Sequence, residues 1–144
     1  MRHAPLFAMA LAAAMPATAK DLLVTIAKPA NLYVFDAGAR ELVKDCAMNA
    51  DPTPGVIQMS PDGQVASALV NRWQDVLGVN IETCERVFYA AQSTNDVTRR
   101  SIASLALSPD GTEVYTVRNP TRKLVDRYEV MEPEFAVFDT SAGL

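Results

Sequence analysis

The expected fold is all-β: a partial β-propeller of about two and a half four-stranded antiparallel blades, preceded by a signal peptide. A recurring turn, matched strand-like runs on both sides of it, and a second recurring apolar run carry this expectation. Met59-Ser60-Pro61-Asp62-Gly63 returns 48 residues later as Leu107-Ser108-Pro109-Asp110-Gly111. Pro presets φ at the first corner of such a turn, Asp bonds back to the backbone, and Gly accepts positive φ. Gly55 to Met59 and Ile102 to Leu107 precede the two copies, and Val65 to Val70 and Val114 to Val117 follow them. Apolar runs joined by this turn chemistry are hairpins. The second recurring element ends in Asp or Asn: Leu32 to Asp36, Val76 to Asn80, and Phe135 to Asp139.

Residues Met1 to Ala19 read as an export signal. Arg2 is the charged start, Leu6 to Met15 an apolar run of ten residues, and Ala17-Thr18-Ala19 a small-x-small cleavage site. Ten apolar residues span about half of a ~30 Å hydrocarbon core, and no later run approaches the ~18 needed to cross one. The expected location is the periplasm, with cleavage after Ala19 and no membrane span. The only histidine is His3, which leaves with the signal, so histidine acid–base chemistry and histidine metal ligation are excluded from the exported chain.

From Lys20 the first unit places strands near 22–26, 32–36 and 42–46, without an innermost strand. Asp51-Pro52-Thr53-Pro54-Gly55 is a stiff connector. The second unit has strands near 55–59, 65–70, 76–81 and 86–90. Asp96 to Ala106 is the best helical stretch, but its β-branched residues and the following turn favour loop and then strand. The third unit contains an insertion, Asn119 to Glu134, read as a charge-balanced loop, and it ends before an outermost strand. The blades fall at about 20–48, 52–92 and 100–144 of one incomplete propeller domain, 20–144. Propellers close rings of about four to eight blades. The chain is therefore expected to be a fragment, or a truncated reading frame, of a longer propeller, on the order of 330 residues for seven blades.

The chain has 144 residues, 49% apolar and 21% charged, with a net charge of −4. One modest domain fits that length. The acidic balance argues against a nucleic-acid partner. Two cysteines and no CxxCH motif exclude a zinc ribbon and a haem attached to this chain. Export favours disulfides, but Cys46 closes a strand and Cys84 sits in a turn of a different unit, so pairing is not the expectation. Trp73 lies in Asn71-Arg72-Trp73-Gln74-Asp75, read as an exposed turn, and is expected to face a partner rather than to form a quinone with a cysteine. At the edge of the insertion and within it, Arg118, Arg122 and Arg127 are the candidate partner contacts. Asp62 and Asp110 are read as turn formers. No nucleophile–base–orienter set and no phosphate loop is present, and no catalytic, cofactor-binding or metal-ligating residue is assigned.

The order of features is similar to the β subunit of quinohemoprotein amine dehydrogenase. It includes Lys20-Asp21, Pro52-Thr53-Pro54, Val70-Asn71 and Ser108-Pro109-Asp110-Gly111. It continues through the insertion with Pro120, Arg122 and Glu129-Val130 to Phe138-Asp139. Cys46 departs from the pattern, as does Cys84, where a turn glycine is expected. The resemblance implies a propeller of the YVTN and methylamine dehydrogenase heavy-chain kind within a periplasmic heterotrimer. Its partners would be a dihaem cytochrome c and a small subunit bearing cysteine tryptophylquinone, which together oxidise primary amines to aldehydes and ammonia. The propeller itself would carry no cofactor and hold the other two. The competing expectations are a stand-alone exported propeller that binds a protein or polymer, and the heavy subunit of a methylamine dehydrogenase.

Overall fold

The computed structural model describes residues 20–51 and 53–142. The expected signal with its cleavage site, Pro52 of the connector, and the last two residues lie outside them. Twelve strands form three antiparallel sheets, with no α-helix among the described residues. The first sheet is β1 (Leu22–Ala27), β2 (Asn31–Asp36) and β3 (Glu41–Ala47) in that order. The second is the four-stranded meander β4 (Ile57–Met59), β5 (Val65–Val70), β6 (Asp75–Asn80) and β7 (Arg86–Ala91). The third is built on the 11-residue β10 (Glu113–Lys123), which pairs with β8 (Val97–Arg100), β9 (Ala106–Leu107), β11 (Tyr128–Val130) and β12 (Glu134–Asp139). A single 3-10 turn, Thr140–Ala142, follows.

The sheets stack face to face as propeller blades. Leu32, Val34, Cys46 and Met48 of the first sheet and its exit meet Ala66, Ala68, Val70, Leu77 and Val79 of the second. On the other side of the second sheet, Leu69, Val76 and Phe88 meet Leu105 and Val114 of the third. The middle sheet is thus covered on both faces, which is why β5 and β6 are near-continuous apolar runs with almost every residue buried. Gly78 lies opposite Phe88 across β6 and β7, where an added Cβ would come within 3.1 Å of the Phe88 Cβ.

The two turn repeats form the same network. The Ser60 hydroxyl donates to the Asp62 carboxylate at 2.5 Å and accepts from Val65 N at 2.9 Å. The Ser108 hydroxyl donates to Asp110 at 2.6 Å and accepts from Glu113 N at 2.9 Å. Gly63 and Gly111 close the turns at φ 72° and 75°. The Ser108 hydroxyl, with the Thr112 N–H and hydroxyl, holds Asp110 down to about pKa 2. A carboxylate depressed in the folded state contributes stability that is present above its unfolded pKa of about 3.9 and disappears as pH falls through the folded value. Wild-type stability should therefore decline between about pH 4 and pH 2 partly through Asp110, and Asp110→Asn should flatten that part of an acid titration followed by circular dichroism.

Three expectations are corrected. Cys46 and Cys84 form a disulfide with a Cα–Cα distance of 5.2 Å. Stacking puts the end of β3 beside the β6–β7 turn, and unit-by-unit reading could not see that adjacency. Cys84 has φ 63°, the left-handed region where glycine is easiest, so the bond to Cys46 gives a reason for a side chain at that corner. The stretch before the second turn repeat is not one strand over 102–107. Val97–Arg100 forms β8, a turn follows, and only Ala106–Leu107 pairs with β10. The third sheet therefore begins before residue 100. Finally, the insertion is not a loop. β10 runs through Pro120, whose missing N–H is tolerated while its carbonyl accepts from Met131 N at 3.1 Å.

Candidate functional site

The insertion folds as a three-stranded arm. β8 pairs with β10 through Asn119↔Arg100, Pro120↔Arg99, Thr121↔Thr98 and Arg122↔Val97. β11 pairs with the far end of β10 through Thr121↔Val130, Arg122↔Glu129 and Lys123↔Tyr128. Alternation along these strands gives the arm two unlike faces. Val97 and Pro120 are buried on one, beside Arg99 and Arg118. The other carries a polar cleft of about 370 Å³ lined by Thr98, Arg100, Asn119, Thr121 and Tyr128.

The arm is tied at its base by one carboxylate. Glu134 accepts from Arg118 Nε at 2.7 Å and from Arg99 Nε at 3.0 Å. The Arg99 hydrogen bond, followed by that of Arg118, holds Glu134 below the usual carboxylate range. Glu134→Gln should loosen the arm without unfolding the sheets. Hydrogen exchange of residues 97–100 and 118–130 should accelerate while that of β5 and β6 stays unchanged.

Arg118, Arg122 and Arg127 thus take unequal positions. Arg118 is committed to Glu134 and acts as an internal tie. Arg122 pairs with Glu129 across the strands at 3.3 Å, and Arg127 pairs with its neighbour Asp126 at 3.1 Å, both at exposed positions. The arm brings Arg122 and Arg127 to its outer end, each with an acidic partner on the arm itself. The more conspicuous surface groups are apolar. Val125, Tyr128 and Val130 are at least 70% exposed. They are hard to single out in the sequence because β11 has only three residues, too few for its alternation to mark a face, and Val125 lies outside any strand.

Trp73 is corrected from exposed to half-buried. Its ring packs against the second core cluster and lies over Gly55, where any Cβ would collide with the indole. Its carbonyl accepts from Ser101 N at 2.9 Å. Asn71, Arg72 and Trp73 all have positive φ, 52°, 58° and 65°, in the turn joining β5 to β6. Asn71 is fixed by Asp51 N at 2.7 Å and by a short contact to Asp75. Tyr89 donates to the same Asp75 carboxylate at 2.7 Å, and burial followed by that hydrogen bond raises the Tyr89 pKa. Trp73 therefore helps to join the second and third sheets.

Among the described residues no group of three or more His, Cys, Asp or Glu is placed to hold a metal ion. No helix there is long and apolar enough to cross a membrane.

No protein-family model matches the chain, and no curated protein matches it by sequence. Solved structures do. Hydrazine synthase of Kuenenia stuttgartiensis aligns at 15% identity and TM-score 0.48, over 72% of this chain and 29% of its own. A protein from Lactobacillus plantarum aligns at 17% identity and TM-score 0.46, over 79% and 41%. A candidate 6-phosphogluconolactonase of Bacteroides fragilis aligns at 15% identity and TM-score 0.43, over 76% and 36%. The chain spans less than half the length of each of these proteins.

Proposed function

We propose that this chain is a non-catalytic propeller subunit of a periplasmic quinohemoprotein amine dehydrogenase. In that role it holds a dihaem cytochrome c and a small subunit bearing cysteine tryptophylquinone, and the complex oxidises primary amines to aldehydes and ammonia. The observation that supports the reading is the arm. It lies at the insertion through which the sequence resembles that family, and it offers the surface a docking element needs. β8 stiffens it from one side, Glu134 ties its base, and exposed Tyr128, Val125 and Val130 stand beside the Arg122–Glu129 and Arg127–Asp126 pairs. Aromatic and apolar anchors surrounded by satisfied polar groups are the chemistry of interface hot spots.

The test is affinity isolation of the tagged chain from the periplasm of its source bacterium. The expected result is c-type haem, seen by absorption, together with a small polypeptide that is positive by quinone redox staining. Tyr128→Asp should lower recovery of both at least tenfold while leaving the circular dichroism of the chain unchanged. Quinone recovered without haem would favour the methylamine dehydrogenase reading. Recovery of neither would favour a stand-alone binding propeller and overturn the proposal.

A further inference from the structure

At the seam between the exit of the first sheet and the second sheet lies a cleft of about 350 Å³, lined by Asn49, Asn71, Arg86 and Tyr89. The backbone shapes it in three ways. A register shift sets Arg86 opposite Val79 and Phe88 opposite Gly78, so that Val87 is an extra residue in β7. Residues three apart on a regular strand face opposite ways, but this bulge turns Arg86 onto the face that Tyr89 occupies, toward the first sheet. Asn49 and Asn71 both have positive φ, 48° and 52°, a strained region that asparagine enters more easily than most residues. The Asp51 N–H donates to Asn71 Oδ1 at 2.7 Å and so pins the exit of the first sheet to the β5–β6 turn.

The two charges nearest this cleft are not equally satisfied. Asp75, 8% exposed, accepts from the Tyr89 hydroxyl at 2.7 Å and from the Asn71 side-chain amide. Arg86 is half-buried, and its guanidinium carbon lies 5.4 Å from the centroid of the Tyr89 ring. That contact holds the cation in place but gives its in-plane N–H groups no acceptor. Arg86 Nε is shielded from water and has no hydrogen-bond partner. Among the described residues no carboxylate stands within ion-pair distance of Arg86. A shielded guanidinium without an anion is costly, and here a bulge and a stacked ring hold it beside an open cleft.

We propose that this cleft binds the carboxylate group of a ligand, with Arg86 as its counter-ion. A carboxylate is planar and matches the donor fork of a guanidinium. Asn49, exposed at the rim, supplies a neutral amide donor. Charge selects a carboxylate over a phosphate. Arg86 is a single cation, and Asp75 stands behind the Tyr89 hydroxyl, so one negative charge is matched and a second would be repelled. The volume is that of a small-molecule site. A small organic acid and the carboxyl terminus of a peptide present the same group to it. Every residue of the cleft belongs to the first two sheets or to the segment between them. This inference does not rest on the amine-oxidation reading.

The test is calorimetric titration of the exported chain near neutral pH in sodium chloride. The probes are propionate, N-acetyl-alanyl-alanine, the carboxamide of that dipeptide, and inorganic phosphate. The expected result is saturable binding of one carboxylate per chain and no binding of the carboxamide. Arg86→Gln should weaken binding roughly tenfold or more, the effect of losing a charge-assisted pair. Asn49→Asp should abolish it, because it gives Arg86 a carboxylate from the chain itself. Intact disulfides and unchanged circular dichroism would show that both variants fold. Tighter binding of the dipeptide than of propionate assigns the site to a chain terminus, and the reverse assigns it to a small acid; both support the proposal. Failure of both carboxylates to saturate the wild type, undiminished binding in Arg86→Gln, or tighter binding of phosphate than of either carboxylate overturns it. Arg86 would then serve only to pack over Tyr89.

Discussion

Replacing Cys46 and Cys84 with alanine should lower the stability of the chain by about 4 kcal/mol, the loop-closure entropy expected for a crosslink of this span. The two residues are 38 apart in sequence, and their bond joins the first sheet to the second. The first sheet has most to lose. It has three strands, and only one of its faces is buried, through Leu32, Val34 and Cys46. The disulfide limits how far that sheet can separate in the unfolded chain and so favours restacking. Urea unfolding of the oxidised wild type and of the double alanine variant measures the difference. A loss under about 1 kcal/mol would mean that the bond adds little to the stack.

Leu69→Ala should cost about 3 kcal/mol, within the range for fully buried leucines. Leu69 is 0% exposed and sits between Val76, Phe88, Leu105 and Val114, where the second sheet meets the third. Its backbone is held from both sides, with Leu69 N donating to Val56 O at 2.9 Å and Leu69 O accepting from Gly55 N at 2.8 Å. The peptide will not readily shift to fill the space, so a cavity term adds to the transfer term. The same urea experiment reads the loss. Hydrogen exchange should show the third sheet opening first, whereas the cysteine variant should open the first. The two substitutions thus probe different blade interfaces, and their effects should add.

The parts of this fold that local chemistry determines were legible in the sequence. Ser60-Pro61-Asp62-Gly63 and Ser108-Pro109-Asp110-Gly111 make the expected turns because their hydrogen bonds close within a few residues. The strands of the first two sheets lie within two residues of their expected bounds, because short apolar runs between such turns have few other ways to fold. Contacts between units were not legible. The Cys46–Cys84 bond depends on how one blade lies on the next, which no local pattern encodes. Trp73 read as exposed because its neighbours are polar, yet the turn folds its ring back over Gly55. The arm was hidden for two reasons. Pro120 argues against a strand, and Val97–Arg100 carries too few apolar residues to announce one. Of the three arginines singled out, Arg118 proved to be internal because its partner, Glu134, lies on the neighbouring strand β12.

The most direct measurement of the functional account is amine-dependent dye reduction in periplasmic extracts of the source bacterium, with and without a deletion confined to this gene. The account predicts that oxidation of primary amines is lost with the chain and restored when the chain is supplied again. Undiminished activity in the deletion strain, measured with the dihaem and quinone subunits still present, would contradict it.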